Sequence, residues 1–108
     1  MTREQALAIL SRGIKAYRRR LVITQDRLGE IIGVTKSNIS TMERGKSAPS
    51  IEVLYSLAEN GMSVEEMFGA EISARMSRRP EPETPMEKAQ MVKQGLLELL
   101  GMFNEQKG

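Results

Sequence analysis

Apolar residues recur along the chain at intervals of three and four, which is the spacing of one face of an α-helix. The first series follows Thr2 and Gln5, a capping-box pair that predicts a helix start. Its members are Leu7, Leu10, Ile14, Tyr17 and Leu21. Gly13 lies within this series. In a helix interior, glycine lowers helix stability by about 1 kcal/mol relative to alanine, so a helix break near Gly13 is an open alternative.

Two short helices are predicted next. Thr24 and Thr35 are N-cap residues, each ahead of a short segment with apolar positions. Gly33 is placed as the left-handed stop of the first segment, and Gly45 ends the second. Two short helices joined by a turn of three to four residues that contains glycine are typical of the helix-turn-helix motif.

Further helix starts are predicted at Ser50, for residues 51–59, and at Ser63, whose capping box covers a short helix closed by Gly69. The composition then shifts, and alternating prolines near residue 80 predict an extended linker. Thr84 followed by Pro85 restarts a helix. We therefore predict an all-α chain with an N-terminal helical extension (1–9), a helical domain (10–69), a linker (70–85) and a C-terminal helix (86–105).

Composition limits the possible chemistry. The chain has 108 residues, no cysteine and no histidine, so a disulfide framework, a thiolate metal site and histidine-based catalysis are excluded. We expect no enzyme activity, no cofactor and no metal. No apolar run approaches the ~18 residues of a membrane span, and the N-terminus does not resemble a signal peptide. The expected location is the cytoplasm, away from the membrane.

Charge is distributed unevenly between the two halves. Residues 1–50 carry ten Lys and Arg against four Asp and Glu, a charge of +6, whereas the remainder carries six against ten, a charge of −4. A basic half joined to an acidic half indicates that the first half contacts a polyanion. Patchy surface charge without a ligand is the alternative.

The second helix of the motif begins with Lys36, Ser37 and Asn38, and Thr41 follows one turn later. In helix-turn-helix proteins this end of the second helix enters the major groove of DNA. Lysine can pair with guanine, asparagine with adenine, and Ser or Thr with donors or acceptors. An ordinary solvated helix start is the alternative interpretation.

Several motifs in this region resemble those of one family, in order and at family spacing. They are Thr24 to Gly29, Gly33 to Thr35, Ile39 to Lys46, and Pro49 with Ser50. The stretch from about Leu10 to Gly69 resembles the lambda-repressor-like (Cro/CI, or XRE) DNA-binding domain. Gly29 stands where that family usually has alanine. The resemblance implies a five-helix bundle that binds double-stranded operator DNA as a dimer.

The resemblance also implies a role for individual positions. The residues expected to face bases are Lys36, Ser37, Asn38 and Thr41. Those expected to contact phosphates are Gln25, Arg44 and Lys46. Gln25 is also expected to support the recognition helix, although it is alternatively a polar first-turn residue. Arg18 and Glu43 are expected to form a partly buried ion pair that ties the first helix to the third. We interpret Arg19 and Arg20 as solvated rather than bound to DNA.

The C-terminal helix has a broad apolar face that cannot stay exposed without aggregation. Its predicted dimerisation residues are Val92, Leu96, Leu99, Leu100 and Phe103. We favour homodimerisation, while packing on its own domain and docking to a different protein remain open. A homodimer would place two recognition helices about 34 Å apart.

The function expected from these features is a sequence-specific transcriptional regulator, bacterial or phage-borne. We expect a repressor that binds a palindromic operator as a homodimer. The alternative is an antitoxin or another interaction factor on the same fold, whose C-terminal helix binds a partner protein.

Overall fold

The structure is a computed structural model that describes residues 2–76 and 84–105, with side chains through residue 101 in the second range. Within these ranges the chain forms helices and no strand, which confirms the predicted all-α fold. The helices are α1 (Arg3–Arg20), α2 (Gln25–Ile32), α3 (Lys36–Glu43), α4 (Ile51–Glu59), α5 (Val64–Phe68), α6 (Ala70–Arg75) and α7 (Pro85–Glu105).

Serine and threonine side chains cap the N-termini of the described helices at the predicted positions, except for α6, which begins after Gly69. Each accepts a hydrogen bond from the backbone N–H three residues later, which satisfies one of the free donors of a helix N-terminus. These N-cap residues are Thr2, Thr24, Thr35, Ser50, Ser63 and Thr84. The predicted capping boxes at Thr2 and Ser63 are both complete. Gly33 ends α2 in the left-handed conformation at φ 77°, as predicted.

The buried apolar residues form one cluster to which all seven helices contribute. Leu28, Ile39 and Leu57 are completely buried, and they come from α2, α3 and α4. α1 packs against α3 and α5, while α2 packs against α3 and α4. The motif helices α2 and α3 are therefore part of the core and do not stand apart from it.

Helix α1 is continuous through Gly13, so the alternative of a break there is wrong. A Cβ atom at position 13 would overlap the carbonyl oxygen of Glu66 in α5. The glycine therefore serves a close approach of two helices, and packing against α5 offsets its low helix propensity. α1 ends at Arg20, and Leu21, which we expected on the inner face, is exposed.

The predicted linker (70–85) begins too early. Residues 70–75 form α6, which lies between α5 and α7. Ile72 and Met76 are buried, at 1% and 4% exposure, so this segment belongs to the core. The prolines that carried the prediction, Pro80 and Pro82, lie outside the described residues, as do Arg78 and Arg79.

Helix α7 folds back on its own domain and packs against α1, α4, α5 and α6. Val92 and Leu99 are each 1% exposed, and Leu96 packs against the core. The prediction that these residues form a free dimerisation surface is corrected accordingly, because their apolar side is occupied by the same chain. Leu100 is 46% exposed, and the side chain of Phe103 lies outside the described residues.

Two ion pairs fasten the C-terminal end of α1. The Nε and Nη2 atoms of Arg18 donate to the two carboxylate oxygens of Glu43 at 2.7 and 3.0 Å, as predicted from the family resemblance. The side chain of Glu43 is only 4% exposed and that of Arg18 is 16% exposed. The hydrogen bond to Glu43 raises the pKa of Arg18, so the guanidinium stays charged.

The second pair joins Arg20 to Glu66, with Nε donating to Oε2 at 2.7 Å. Arg20 also lies over the ring of Tyr17, whose hydroxyl donates to the carbonyl of Asn60 at 2.6 Å. The hydrogen bond from Arg20 lowers the pKa of Glu66. Sequence reasoning assigned Glu66 to a cap and Arg20 to solvent, so it missed this contact.

The close approach of α7 to the domain gives a first test. A Cβ atom at Gly95 would overlap the Phe68 ring, whereas no heavy atom of the described chain lies within 4 Å of a Cβ atom at Gly101. We expect Gly95→Ala to lower the free energy of unfolding by about 1–3 kcal/mol in urea denaturation, because the buried ring cannot move freely. Gly101→Ala is the matched control and should raise it by up to ~1 kcal/mol. Equal effects would contradict the packing of α7 on Phe68.

The buried ion pair gives a second test. Arg18→Met should lower the free energy of unfolding by about 3–5 kcal/mol, because it leaves the Glu43 carboxylate buried without its cation. The double variant Arg18→Met/Glu43→Leu should recover much of that loss, because no charge then remains buried. Chemical denaturation of the wild type, both single variants and the double variant measures this coupling. Additive losses would show that the two side chains do not act as a pair.

Candidate nucleic-acid interface

Helix α3 has one apolar side and one polar side. Ile39 and Met42 point into the core, with 0% and 5% exposure. Lys36, Ser37 and Asn38 are exposed at the other end of the same helix, directly after the Thr35 cap. The inward residues fix how α3 is rotated, so the three polar residues are held at the surface as one turn of helix.

Thr41 lies one turn after Ser37 and is partly exposed. Its hydroxyl donates to the backbone carbonyl of Ser37 at 2.8 Å. The hydroxyl proton is used within the helix, so Thr41 meets a ligand with its oxygen lone pairs as an acceptor. The exposed end of α3 thus offers an ammonium group, a hydroxyl and an amide, followed by this acceptor.

Gln25 lies at the start of α2, but its side chain reaches the other end of α3. Its Nε2 atom donates to Glu43 Oε1 at 3.3 Å. Arg18 meanwhile donates from Nη1 to the carbonyl oxygen of Ile23 at 2.9 Å, just ahead of α2. The start of α2 and the end of α3 are therefore joined through the same buried carboxylate. Sequence reasoning predicted the Arg18–Glu43 pair and a support of the recognition helix by Gln25, but it did not identify Glu43 as the residue that Gln25 contacts.

Arg44 and Lys46 lie immediately after α3, and both are exposed. The backbone turns between them at Gly45, where φ is 71°, a value that favours glycine. The Lys46 N–H bonds the carbonyl of Thr41 at 3.0 Å, and Arg44 Nε bonds the carbonyl of Ser40 at 3.3 Å. This turn fixes the backbone of Lys46 and the side chain of Arg44 beside α3.

The acidic groups near this surface are largely neutralised. Glu43 is the acidic residue of α3, and it is buried against Arg18. On α2, Glu30 bonds Arg27 at 3.0 Å, and Asp26 lies exposed in the first turn, near the helix N-terminus. The outer side of α3 therefore carries cationic and neutral groups and no acidic one. Such a surface attracts the negatively charged phosphate backbone of DNA.

No group of three or more His, Cys, Asp or Glu side chains in residues 2–76 and 84–101 is arranged to hold a metal ion. Among the helices of the described segments, none has both the length and the apolar character to cross a membrane.

Comparison with known proteins places this surface in a family. Residues 14–66 match the family described as helix-turn-helix. An uncharacterized HTH-type transcriptional regulator of Methanothermobacter thermautotrophicus is 36% identical over 45 residues. That alignment covers 42% of this chain and 65% of the relative, so the chain spans somewhat less than two thirds of the relative's length. No solved structure matches the chain.

The matched segment begins within α1 and ends within α5, so it contains α2, α3, the turn at Gly33 and the loop with Arg44 and Lys46. The geometry and the family match coincide over the same residues. The chain therefore contains, within residues 14–66, a lambda-repressor-like (XRE family) helix-turn-helix domain.

Proposed function

We propose that the protein is a sequence-specific regulator of transcription that binds double-stranded DNA through the major groove. The observation that carries this proposal is the division of α3, whose Ile39 and Met42 anchor the helix while its first turn presents Lys36 and Asn38 to solvent. A major groove admits one α-helix, and base edges there are distinguished by their donor and acceptor patterns. The relative's printed description as a transcriptional regulator supports the same function.

The contacts divide into two classes in this proposal. Lys36, Ser37, Asn38 and Thr41 face base edges. Gln25, Arg44 and Lys46 contact phosphates, which sets the register of the protein on the duplex without reading its sequence. For Gln25, one amide hydrogen is directed at Glu43, and the second hydrogen is the one that reaches a phosphate oxygen.

The finer function that we propose is repression by a homodimer on a palindromic operator. Two copies related by a two-fold axis would place their α3 helices in successive major grooves, about 34–36 Å apart. A dimer bound over a promoter blocks the polymerase by occupying the same DNA. Repression by this route needs no contact with the polymerase itself.

Asn38 gives the test of base recognition. Selection from a random duplex library with the purified full chain should yield a two-fold symmetric site. On that site Asn38→Ala should weaken binding by about 1–3 kcal/mol in fluorescence anisotropy, because a bidentate contact to adenine is lost. On an unrelated duplex its affinity should match the wild type.

The control is Gln90→Ala, which removes an exposed amide from α7 and should leave both affinities unchanged. If Asn38→Ala weakens binding equally on both duplexes, or on neither, this residue does not read bases. Selection that yields no symmetric site would contradict a palindromic operator.

Lys46 gives the test of phosphate contact. Lys46→Ala should reduce the slope of log affinity against log salt by about 1, because one fewer counterion is released. Lys46→Ala should weaken binding to the selected duplex and to the unrelated duplex by similar factors. Arg3→Ala is the charge-matched control, since Arg3 is exposed and lies about 22 Å along α1 from Arg18. An equal change of slope in both variants would reveal only a general charge effect.

A further inference from the structure

Several cations in the first half of the chain have no role in the interactions described above. Of the ten in residues 1–50, three pair with carboxylates of the same chain, namely Arg18, Arg20 and Arg27. Three more belong to the proposed DNA-binding surface, namely Lys36, Arg44 and Lys46. The four that remain all lie exposed on α1, and they are Arg3, Arg12, Lys15 and Arg19. Within residues 2–76 and 84–101, none of these four forms an ion pair with an acidic side chain.

Three of these cations form one stripe along α1. Arg12, Lys15 and Arg19 are spaced by three and four residues, so they lie within about 60° of one another around the helix and within about 10 Å along it. Arg3 lies at least about 120° away from each of them around the helix. The acidic residue of α1, Glu4, lies about 12 Å before Arg12. We call Arg12, Lys15 and Arg19 the basic stripe.

The loop that follows α3 packs against α1 next to the basic stripe. A Cβ atom at Gly45 would lie 3.3 Å from the Oγ atom of Ser11, and Ser11 is only 5% exposed. Seven residues further along α1, Arg18 bonds Glu43, the last residue of α3. Seven residues are nearly two helical turns, so Ser11 and Arg18 lie on one line of α1. The end of α3 and its loop therefore lie along that line.

The basic stripe borders this line on the exposed side of α1. Measured around the helix from Ser11, its three residues lie at about 40–100°. The loop adds two exposed cations, one on each side of Gly45 in the sequence. Five cations from two separate segments thus adjoin on one surface, and they are Arg12, Lys15, Arg19, Arg44 and Lys46.

We propose that the basic stripe is a second phosphate-contacting surface, which binds the backbone of duplex DNA beyond the half-site read by α3. This proposal rests on the proposed function, in which Arg44 and Lys46 contact the phosphates beside the groove that α3 enters. It assigns a ligand to Arg19, which we interpreted from the sequence as solvated, and to Arg12 and Lys15, to which sequence reasoning gave no role.

Duplex DNA fits this position better than a single anion does. Each strand carries one phosphate per about 3.4 Å of helix axis, so a stripe about 10 Å long matches a run of about three phosphates. A strand held at Arg44 and Lys46 continues past the loop, and the surface that adjoins the loop is the basic stripe. Phosphate contacts fix a protein on a duplex without reading its sequence. The stripe therefore lengthens the contacted DNA and leaves the recognised bases unchanged.

The side chains of the basic stripe are available for phosphate. A guanidinium group has five N–H donors in a planar fork, which can bind a phosphate through two parallel hydrogen bonds. Arg12 uses its Nε atom for the carbonyl of Ala8 at 3.3 Å, which leaves both Nη groups for a ligand. Lys15 and Arg19 make no side-chain hydrogen bond to the described residues, so binding breaks no contact there.

The first experiment compares two duplexes that each carry one half of the selected site, so that a single chain binds. One ends at the borders of the half-site, and the other adds one helical turn of unrelated sequence, about 10 base pairs, at each end. In fluorescence anisotropy the full-length wild type should bind the longer duplex more tightly. The triple variant Arg12→Gln/Lys15→Gln/Arg19→Gln should bind both with equal affinity, and its urea denaturation should match that of the wild type, because all three residues are exposed.

The matched control removes the same charge elsewhere. Arg3→Gln/Lys88→Gln/Lys93→Gln changes three cations on the far side of α1 and on α7, and it should keep the gain of the wild type on the longer duplex. A control that loses this gain as fully as the stripe variant does overturns the inference, because only total charge would then matter.

Salt dependence counts the contacts. On the longer duplex, the loss of three phosphate contacts should lower the slope of log affinity against log salt by about 2.7. The advantage of the wild type over the stripe variant should therefore shrink by about 40-fold between 50 and 200 mM salt. Equal slopes for the two proteins on the longer duplex overturn the inference.

Neutral linkages identify the phosphates. Methylphosphonates replace a charged phosphate oxygen with a methyl group, and they are placed only in the added turns of the longer duplex. They should abolish the gain of the wild type and leave the affinity of the stripe variant unchanged. A wild type that keeps its gain on this duplex overturns the inference, because the added phosphates would then not be its ligand.

The outcomes separate this inference from the proposed function. A wild type that prefers the selected site but gains as much from the added turns as the stripe variant does overturns the inference and leaves sequence-specific binding intact. A wild type with no preference for any sequence, whose gain on longer DNA is lost in the stripe variant, supports the basic stripe and contradicts the proposed function.

Discussion

The buried ion pair between Arg18 and Glu43 is the interaction on which the arrangement of the motif depends. Glu43 is the last residue of α3, and its side chain is only 4% exposed. Its carboxylate accepts hydrogen bonds from Arg18 of α1 and from Gln25 of α2. Arg18 also holds the carbonyl of Ile23, ahead of α2. A buried charge is tolerated only when its partners are in place, so these three helices must take up one arrangement together. The end of α3 that does not face solvent is thereby fixed.

Fixing one end of α3 determines what its other end can do. Glu43 is seven residues from Lys36, so the two ends are about 10 Å apart along the helix. Ile39 and Met42 add a second constraint, because their burial sets the rotation of the helix. With position and rotation both set by the core, the backbone of Lys36, Ser37 and Asn38 keeps a fixed place at the surface, so only their side chains need ordering when they meet a ligand. Such preorganisation lowers the entropic cost of binding.

Local signals were sufficient for the motif and insufficient for contacts between distant segments. Thr24, Thr35 and Gly33 could be placed from the sequence because a cap or a left-handed stop depends on neighbours within four residues. The role of Gly13 could not be predicted from the sequence, because this glycine makes room for the carbonyl of Glu66, which is more than fifty positions away. The partner of α7 was equally hidden, since an apolar face shows that a helix is covered but does not show by what. The candidate base-facing residues followed from the motif alone, whereas the link from Gln25 to Glu43 required the folded chain.

Gly95 is the residue that lets α7 complete the core. A helix of 21 residues covers the bundle here only because its backbone comes close to the buried Phe68 ring, and a side chain at position 95 would hold the two apart. Val92 and Leu99 lie on the same side of the helix, and each is 1% exposed. Leu97 lies on the opposite side and Leu100 on the flank, so both remain exposed to water. The bundle is therefore closed by its own chain, while the first turn of α3 with Lys36 and Asn38 stays exposed.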